Sequence, residues 1–220
     1  MNRWITLETP HGPIRAWRCE PAGPSHGAVV VAQEIFGVNA HIRHVTGQFA
    51  QAGFVALAPA LFDPVETGVE LAYDAAGIAR GRTLTTALGI DRAMGLMDAA
   101  ADELQEEGLR TGAVGFCWGG TLALLANTRL GLPAVSYYGG RNVQFLDEPL
   151  RAPMMFHFGD RDRSISAADV ELHRSRYPGA SVHVYPAGHG FNCEPRDDYD
   201  PASAALAWQR TIEFLLENLR

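Results

Sequence analysis

The sequence predicts an α/β protein with a mostly parallel central sheet and helices on both of its faces. Short apolar runs rich in Val, Ala and Phe recur along the chain, and stretches with helical spacing lie between them. Such alternation needs crossover connections, which join parallel strands. The run His26 to Ala32 is apolar at almost every position rather than alternating, as in a strand buried on both faces. The third observation is bulk composition. A chain of 220 residues, 47% hydrophobic and 20% charged, has enough apolar mass for one substantial core, so residues 1–220 are expected to form a single domain.

The elements follow in order. Trp4 to Glu8 and Ile14 to Cys19 predict two strands of a hairpin that turns through Thr9-Pro10-His11-Gly12-Pro13. After the polar turn Pro21 to Ser25 come strand His26 to Ala32, helix Ala40 to Ala52 and strand Phe54 to Ala58. Residues Ala60 to Gly68, which follow Pro59 and hold Asp63 and Pro64, predict loop. The wider stretch Leu61 to Arg82 is the least regular and is expected to be a small cap or mobile loop. Asp91 to Glu107 predicts a helix, with Ala93, Leu96, Met97, Ala100 and Leu104 at helical spacing and Gly108 as its stop. Strand Ala113 to Phe116, helix Thr121 to Asn127, and strands Ala134 to Tyr138 and Met154 to Phe158 follow. Helix Ala167 to Arg176, strand Ser181 to Tyr185 and helix Ala202 to Leu219 close the chain, the last with Asp200 as N-cap and Pro201 at its first position.

Several function classes are disfavoured. The formal net charge is −7 and no basic cluster marks a nucleic-acid surface. Every basic residue is Arg, so no Lys is present to serve as nucleophile or Schiff base. The start of the chain lacks a signal-peptide pattern, and no apolar run reaches membrane-spanning length. Three cysteines are a sparse, odd set that fits a reducing compartment, so a cytoplasmic location is expected. His41 and His44 lie three apart on a helix without further ligands nearby, which favours a surface role, and no metal or cofactor is expected.

The chemistry concentrates on Cys117. In Val114-Gly115-Phe116-Cys117-Trp118-Gly119-Gly120, glycines stand two before and two after a nucleophile, between a strand-like and a helix-like run. That is the nucleophile elbow of the α/β-hydrolase fold, with Cys in place of Ser. A thiol needs a base beside it to react near neutrality. His189, in Pro186-Ala187-Gly188-His189-Gly190-Phe191, follows a strand and precedes the last helix. Asp160 and Asp162, in Gly159-Asp160-Arg161-Asp162, follow the preceding strand, and either can orient the imidazole. Each piece alone has a structural reading: a tight turn, a hydrogen-bonded His, a solvated acidic turn. Together, in the order nucleophile, acid, His and at the carboxyl ends of strands, they point to a catalytic triad. Glu34 ends the third strand in Gln33-Glu34-Ile35-Phe36-Gly37, either as a surface carboxylate or as a group near the same sheet edge. The N–H of Trp118, after the nucleophile, and that of Ile35, in the loop after the third strand, are the candidate oxyanion donors.

These segments, with Tyr137-Tyr138-Gly139, resemble the dienelactone hydrolase family of α/β-hydrolases, the carboxymethylenebutenolidase type, over most of the chain and in family order. The resemblance implies Cys117 as nucleophile, His189 as base, Asp162 as the orienting acid, and Glu34 as a carboxylate that helps to ionise the thiol when substrate binds. It implies attack of sulfur on an ester or lactone carbonyl, a thioester acyl-enzyme and hydrolysis by water. Tyr73, Tyr138, Phe36 and Cys193 are then expected around the substrate. The family also clamps a substrate carboxylate with two arginines, and Val69 and Cys193 stand at those positions here. A small ester or lactone is therefore the expected partner, with a preference altered from dienelactone, and a monomer or small homo-oligomer is the expected state. A non-catalytic or regulatory lactone binder and a redox-sensing thiol protein are the competing readings.

Overall fold

The computed structural model describes residues 2–220, which cluster into two units, residues 2–112 with 219–220, and Ala113–Asn218. In the first unit β1 (Asn2–Leu7) and β2 (Ile14–Cys19) form the expected hairpin, in which Trp4 faces Trp17 across the register. Their rings meet edge to face at 5.3 Å, and the Arg15 guanidinium lies over Trp4. β2 pairs antiparallel with β4 (Val55–Pro59), and β4 pairs parallel with β3 (Ala28–Ala32). β3 and β4 are buried throughout, the environment that their continuous apolar runs require. The crossover between them is α1 (Ala40–Gln51), whose N-cap Asn39 accepts a hydrogen bond from the Ile42 N–H at 3.1 Å.

One helix lies where irregular chain was expected. α2 (Ala75–Leu88) begins at Asp74, whose carboxylate accepts from the Gly77 N–H at 2.7 Å. Its buried side is built from Gly77, Gly81, Leu84, Thr85 and Leu88. Small and polar residues on the packed face hide the apolar period that marks a helix in sequence. The small residues have a reason: a Cβ at Gly81 would lie 2.2 Å from the Ile35 carbonyl oxygen, so only glycine lets the helix approach the loop after β3. α3 (Ile90–Glu106) then buries the apolar stripe read from its spacing, against β3 and β4.

The second unit holds most of β5 (Thr111–Phe116), then β6 (Ala134–Tyr137), β7 (Met154–Gly159) and β8 (Ser181–Tyr185), all parallel and in that spatial order. α4 (Trp118–Leu125) starts three residues earlier than its apolar run suggested and unwinds into a π-turn, Ala126–Leu130, before Gly131. α5 (Ala167–Arg176) carries a capping box between Ser166 and Asp169. α6 (Pro201–Leu219) is capped as expected, with the Asp200 carboxylate accepting from the Ser203 N–H at 2.8 Å. Among the described residues no helix is long and apolar enough to cross a membrane, and no cysteine is in a disulfide.

Candidate active site

The sharpest backbone feature of the second unit is Cys117, at φ 55° and ψ −115° between β5 and α4. A side-chain-bearing residue at positive φ stores strain of about 1–3 kcal/mol and needs surroundings that enforce it. The chain enforces it by crowding. A Cβ at Gly115 would sit 1.8 Å from the Gly119 carbonyl oxygen, and one at Gly120 would sit 2.6 Å from that of Tyr137. Strand and helix can thus turn this tightly only with glycine on both sides. The Cys117 N–H donates to the Tyr137 carbonyl at 3.0 Å, and its own carbonyl accepts from Gly120. These bonds hold the thiol, which is partly exposed, above the carboxyl end of β5. Trp118 is the first residue of α4, so its N–H belongs to a helix N-terminus, where partial positive charge concentrates.

His189 leaves the loop after β8, and its Nε2 lies 3.2 Å from Cys117 Sγ. Its Nδ1 lies 2.7 Å from Asp162 Oδ2. The other oxygen of Asp162 accepts from the Ser164 N–H at 2.7 Å, and the carboxylate is fully buried. Asp160 is the alternative acid in the same turn. It is exposed and stands beside Arg161, while its N–H ties the turn to the Tyr185 carbonyl. Burial, the largest single effect, pushes the His189 imidazolium down. The facing Cys117 sulfur and the hydrogen bonds and charge of Asp162 outweigh it and raise the group to about 10. An imidazole held this way beside the sulfur is a ready acceptor for the thiol proton, as activation of a thiol requires.

Tyr138 was expected at the substrate. It is fully buried, takes positive φ (40°) although it is not glycine, and sets its ring 5.2 Å from that of His189 and 5.4 Å from that of Phe191. Its ring thus packs on the base and on Phe191. Cys193 is also fully buried.

The remaining sequence candidates lie in the first unit. Glu34 is fully buried two residues past β3, and Gln33 braces that turn by accepting from the Leu61 N–H and donating to the Glu34 carbonyl. Phe36 packs on Tyr73 at 4.5 Å, and the Tyr73 hydroxyl accepts from Asn39 at 3.0 Å. A bridge between Gly37 and Glu70, and the ion pair of Glu70 with Arg43, fasten the loop before α2 to this segment. Val69 is buried against Gly37, and Arg80 is committed to an ion pair with Glu66.

Sequence reasoning missed the groups beneath the triad: Ser164, which holds the acid, and the buried side chains of Tyr137, His157, Tyr185 and Thr211. The one available signal was a His inside the apolar run Met154 to Phe158, where a polar side chain must find partners.

The chain is similar to known proteins along its length. Residues 14–219 match the model of the dienelactone hydrolase family. Carboxymethylenebutenolidase 1 of Cupriavidus pinatubonensis is 31% identical, over 93% of this chain and 92% of that protein. The carboxymethylenebutenolidase of Pseudomonas putida is 32% identical, over 89% and 87%. The crystal structure of a Klebsiella pneumoniae protein titled "Putative Dienelactone Hydrolase" superposes with a TM-score of 0.86 at 27% identity, covering 97% of both chains.

Proposed function

The chain belongs to the dienelactone hydrolase family of α/β-hydrolases and is a hydrolase of carboxylic esters or lactones; on that premise we propose that it works through a thioester formed on Cys117. The single observation that carries this reading is the continuous line Cys117 Sγ, His189, Asp162, with bonds of 3.2 and 2.7 Å. The Cys117 thiol passes its proton to His189, the sulfur attacks the carbonyl carbon, and the carbonyl π electrons move onto oxygen. The Trp118 N–H at the start of α4 stabilises that oxyanion, together with the Ile35 N–H, the donor that the family resemblance assigns. Collapse of the intermediate expels the alkoxide or enolate, which takes the proton held by His189. His189, now neutral, removes a proton from water as it attacks the thioester. The acid leaves, and sulfur and imidazole regain their starting state. Asp162 keeps the imidazole in one orientation throughout and balances its charge.

The proposed substrate is small and carries no carboxylate bound through the family's arginine positions, because Val69 and Cys193 offer no fork of donors there. The proposed domain is the whole chain, in keeping with the family match over residues 14–219. The test is acid quenching during turnover of a short p-nitrophenyl ester, followed by intact mass and peptide mapping. One acyl group on Cys117 that disappears as substrate runs out is the expected result. Turnover without that adduct overturns the thioester route. Reversible occupancy without hydrolysis indicates a binding protein, and a sulfenic or disulfide adduct after mild peroxide, with no hydrolysis, indicates a redox sensor.

Glu34 is proposed to promote ionisation of the thiol on substrate binding. Its complete burial supports this reading, since a buried carboxylate is costly and seldom kept without a task. Glu34→Gln preserves the shape and removes the charge. We expect kcat/KM to fall by about tenfold or more, and wild-type kinetics from the folded variant would remove Glu34 from the mechanism.

A further inference from the structure

A chain of hydrogen bonds crosses the second unit directly beneath the triad, and nothing in the proposed chemistry uses it. The Tyr137 hydroxyl lies 2.6 Å from Thr211 Oγ1. His157 Nε2 lies 3.1 Å from the same Thr211 oxygen, and His157 Nδ1 lies 2.8 Å from the Tyr185 hydroxyl. Arg210 donates to that hydroxyl at 3.1 Å, with its guanidinium over the Tyr185 ring. Tyr137, His157 and Thr211 are completely buried.

The donor inventory orients the chain. Guanidinium only donates, so the Tyr185 oxygen accepts from Arg210 and its own hydrogen is available for His157 Nδ1. His157 then carries its hydrogen on Nε2, aimed at Thr211. Burial, the stacked His183 ring at 5.5 Å and the charge of Arg210 all press His157 toward its neutral form, which agrees with that tautomer.

The three strand members also hold pieces of the site through their backbones. The Tyr137 carbonyl accepts from the Cys117 N–H. The His157 carbonyl accepts at 2.8 Å from Tyr138, whose ring packs on His189. The Tyr185 carbonyl accepts at 2.8 Å from Asp160, in the turn that carries Asp162, and at 2.8 Å from Ala187, at the start of the His189 loop. The Tyr185 ring also packs on Phe191, two residues past the base, at 5.1 Å. The ends of β6, β7 and β8 are therefore joined twice, by the sheet ladder and by a polar strap anchored on α6.

We propose that Thr211 and His157 are positioning residues: the strap from Tyr137 through Thr211 and His157 to Tyr185 and Arg210 locks three strand ends together, so that Cys117, His189 and Asp162 keep their bonding geometry. A strap has this effect because small displacements among reacting groups are costly in rate, and a fully satisfied buried network permits one arrangement only. The proposal rests on the triad reading above, and its test keeps the two separable by measuring the thiol directly.

Thr211→Val keeps the branched shape and deletes the central hydroxyl. We expect kcat to fall by about tenfold with KM little changed, and Thr211→Ser to recover most of the loss. Alkylation of Cys117 by iodoacetamide is expected to slow in Thr211→Val and to change its pH profile, a response that depends on the Cys117–His189 pair and not on hydrolysis. A folded Thr211→Val with wild-type kcat and an unchanged alkylation profile overturns the proposal. Lost hydrolysis in Cys117→Ala is a separate result that bears on the triad alone. If Thr211→Val does not fold, Tyr185→Phe is judged by the same two readouts, since it removes one oxygen and keeps the ring on Phe191. Collapse of both variants also overturns the proposal, because the strap then serves folding rather than the site.

Discussion

Replacing Cys117 with alanine is expected to lower kcat/KM for short esters by at least about a thousandfold, to the residual rate that binding and oxyanion donors alone support. The size follows from the route. Without sulfur there is no covalent intermediate, and the chain contains no Lys to take its place. Water delivered by His189 is then left to attack directly, and the elbow is shaped to present a side-chain atom rather than a solvent molecule. Folding is expected to survive, because the side chain is partly exposed and the strained φ of 55° is imposed by Gly115 and Gly120 and not by sulfur. Steady-state kinetics with thermal melting checks both halves. A folded Cys117→Ala with more than about a tenth of wild-type kcat/KM would remove the thiol from the reaction.

Asp162→Asn is expected to cost about two to four orders of magnitude in kcat, for a reason of counting. The carboxylate accepts from His189 with one oxygen and from the Ser164 N–H with the other. An Asn side chain has one acceptor oxygen and an NH2 group. If its oxygen serves Ser164, the NH2 meets His189 Nδ1, which must then surrender its hydrogen and adopt the wrong tautomer. If its oxygen serves His189, two donors oppose each other at Ser164 and the turn after β7 loosens. Either way the imidazole also loses a neighbouring negative charge.

That loss has a direct spectroscopic consequence. Asp162 is among the groups that raise His189 to about 10, against burial, which lowers it. A raised value means that the imidazolium persists as pH rises and is lost only on passing about 10. In Asp162→Asn the imidazolium is therefore expected to be lost at lower pH than in the wild type. Titration of the His189 ring by NMR reads this shift. An unmoved midpoint together with wild-type kcat would show that the carboxylate does not act on the base.

Much of this molecule is legible in the chain because its signals are short-ranged. The continuous apolar runs of β3, β5 and β7 predict buried parallel strands. The elbow announces itself because backbone atoms approach within a Cβ's radius there, and only glycine permits it. The Asp200-Pro201 pair marks the start of α6 to the residue. α2 is hidden for the converse reason: Gly77, Gly81 and Thr85 share its packed face with Leu84 and Leu88, so burial there leaves too broken an apolar rhythm to detect.

Residue types, their order and the strand end from which each issues are properties of neighbours along the chain, and these alone led to a thiol, a base and an acid in the right sequence. Which acid meets the base is a different kind of fact. Asp160 and Asp162 differ by two positions in one turn, and their choice depends on how that turn is tied to Tyr185 and Ala187 by hydrogen bonds from another strand. The same holds for the contact of His189 with a sulfur 72 residues away, and for the strap under the triad, whose members come from β6, β7, β8 and α6 and meet only when parallel register brings them level. Local chemistry travels with the chain. Distances of a few ångströms between remote residues are created by packing, and no spacing along the sequence encodes them.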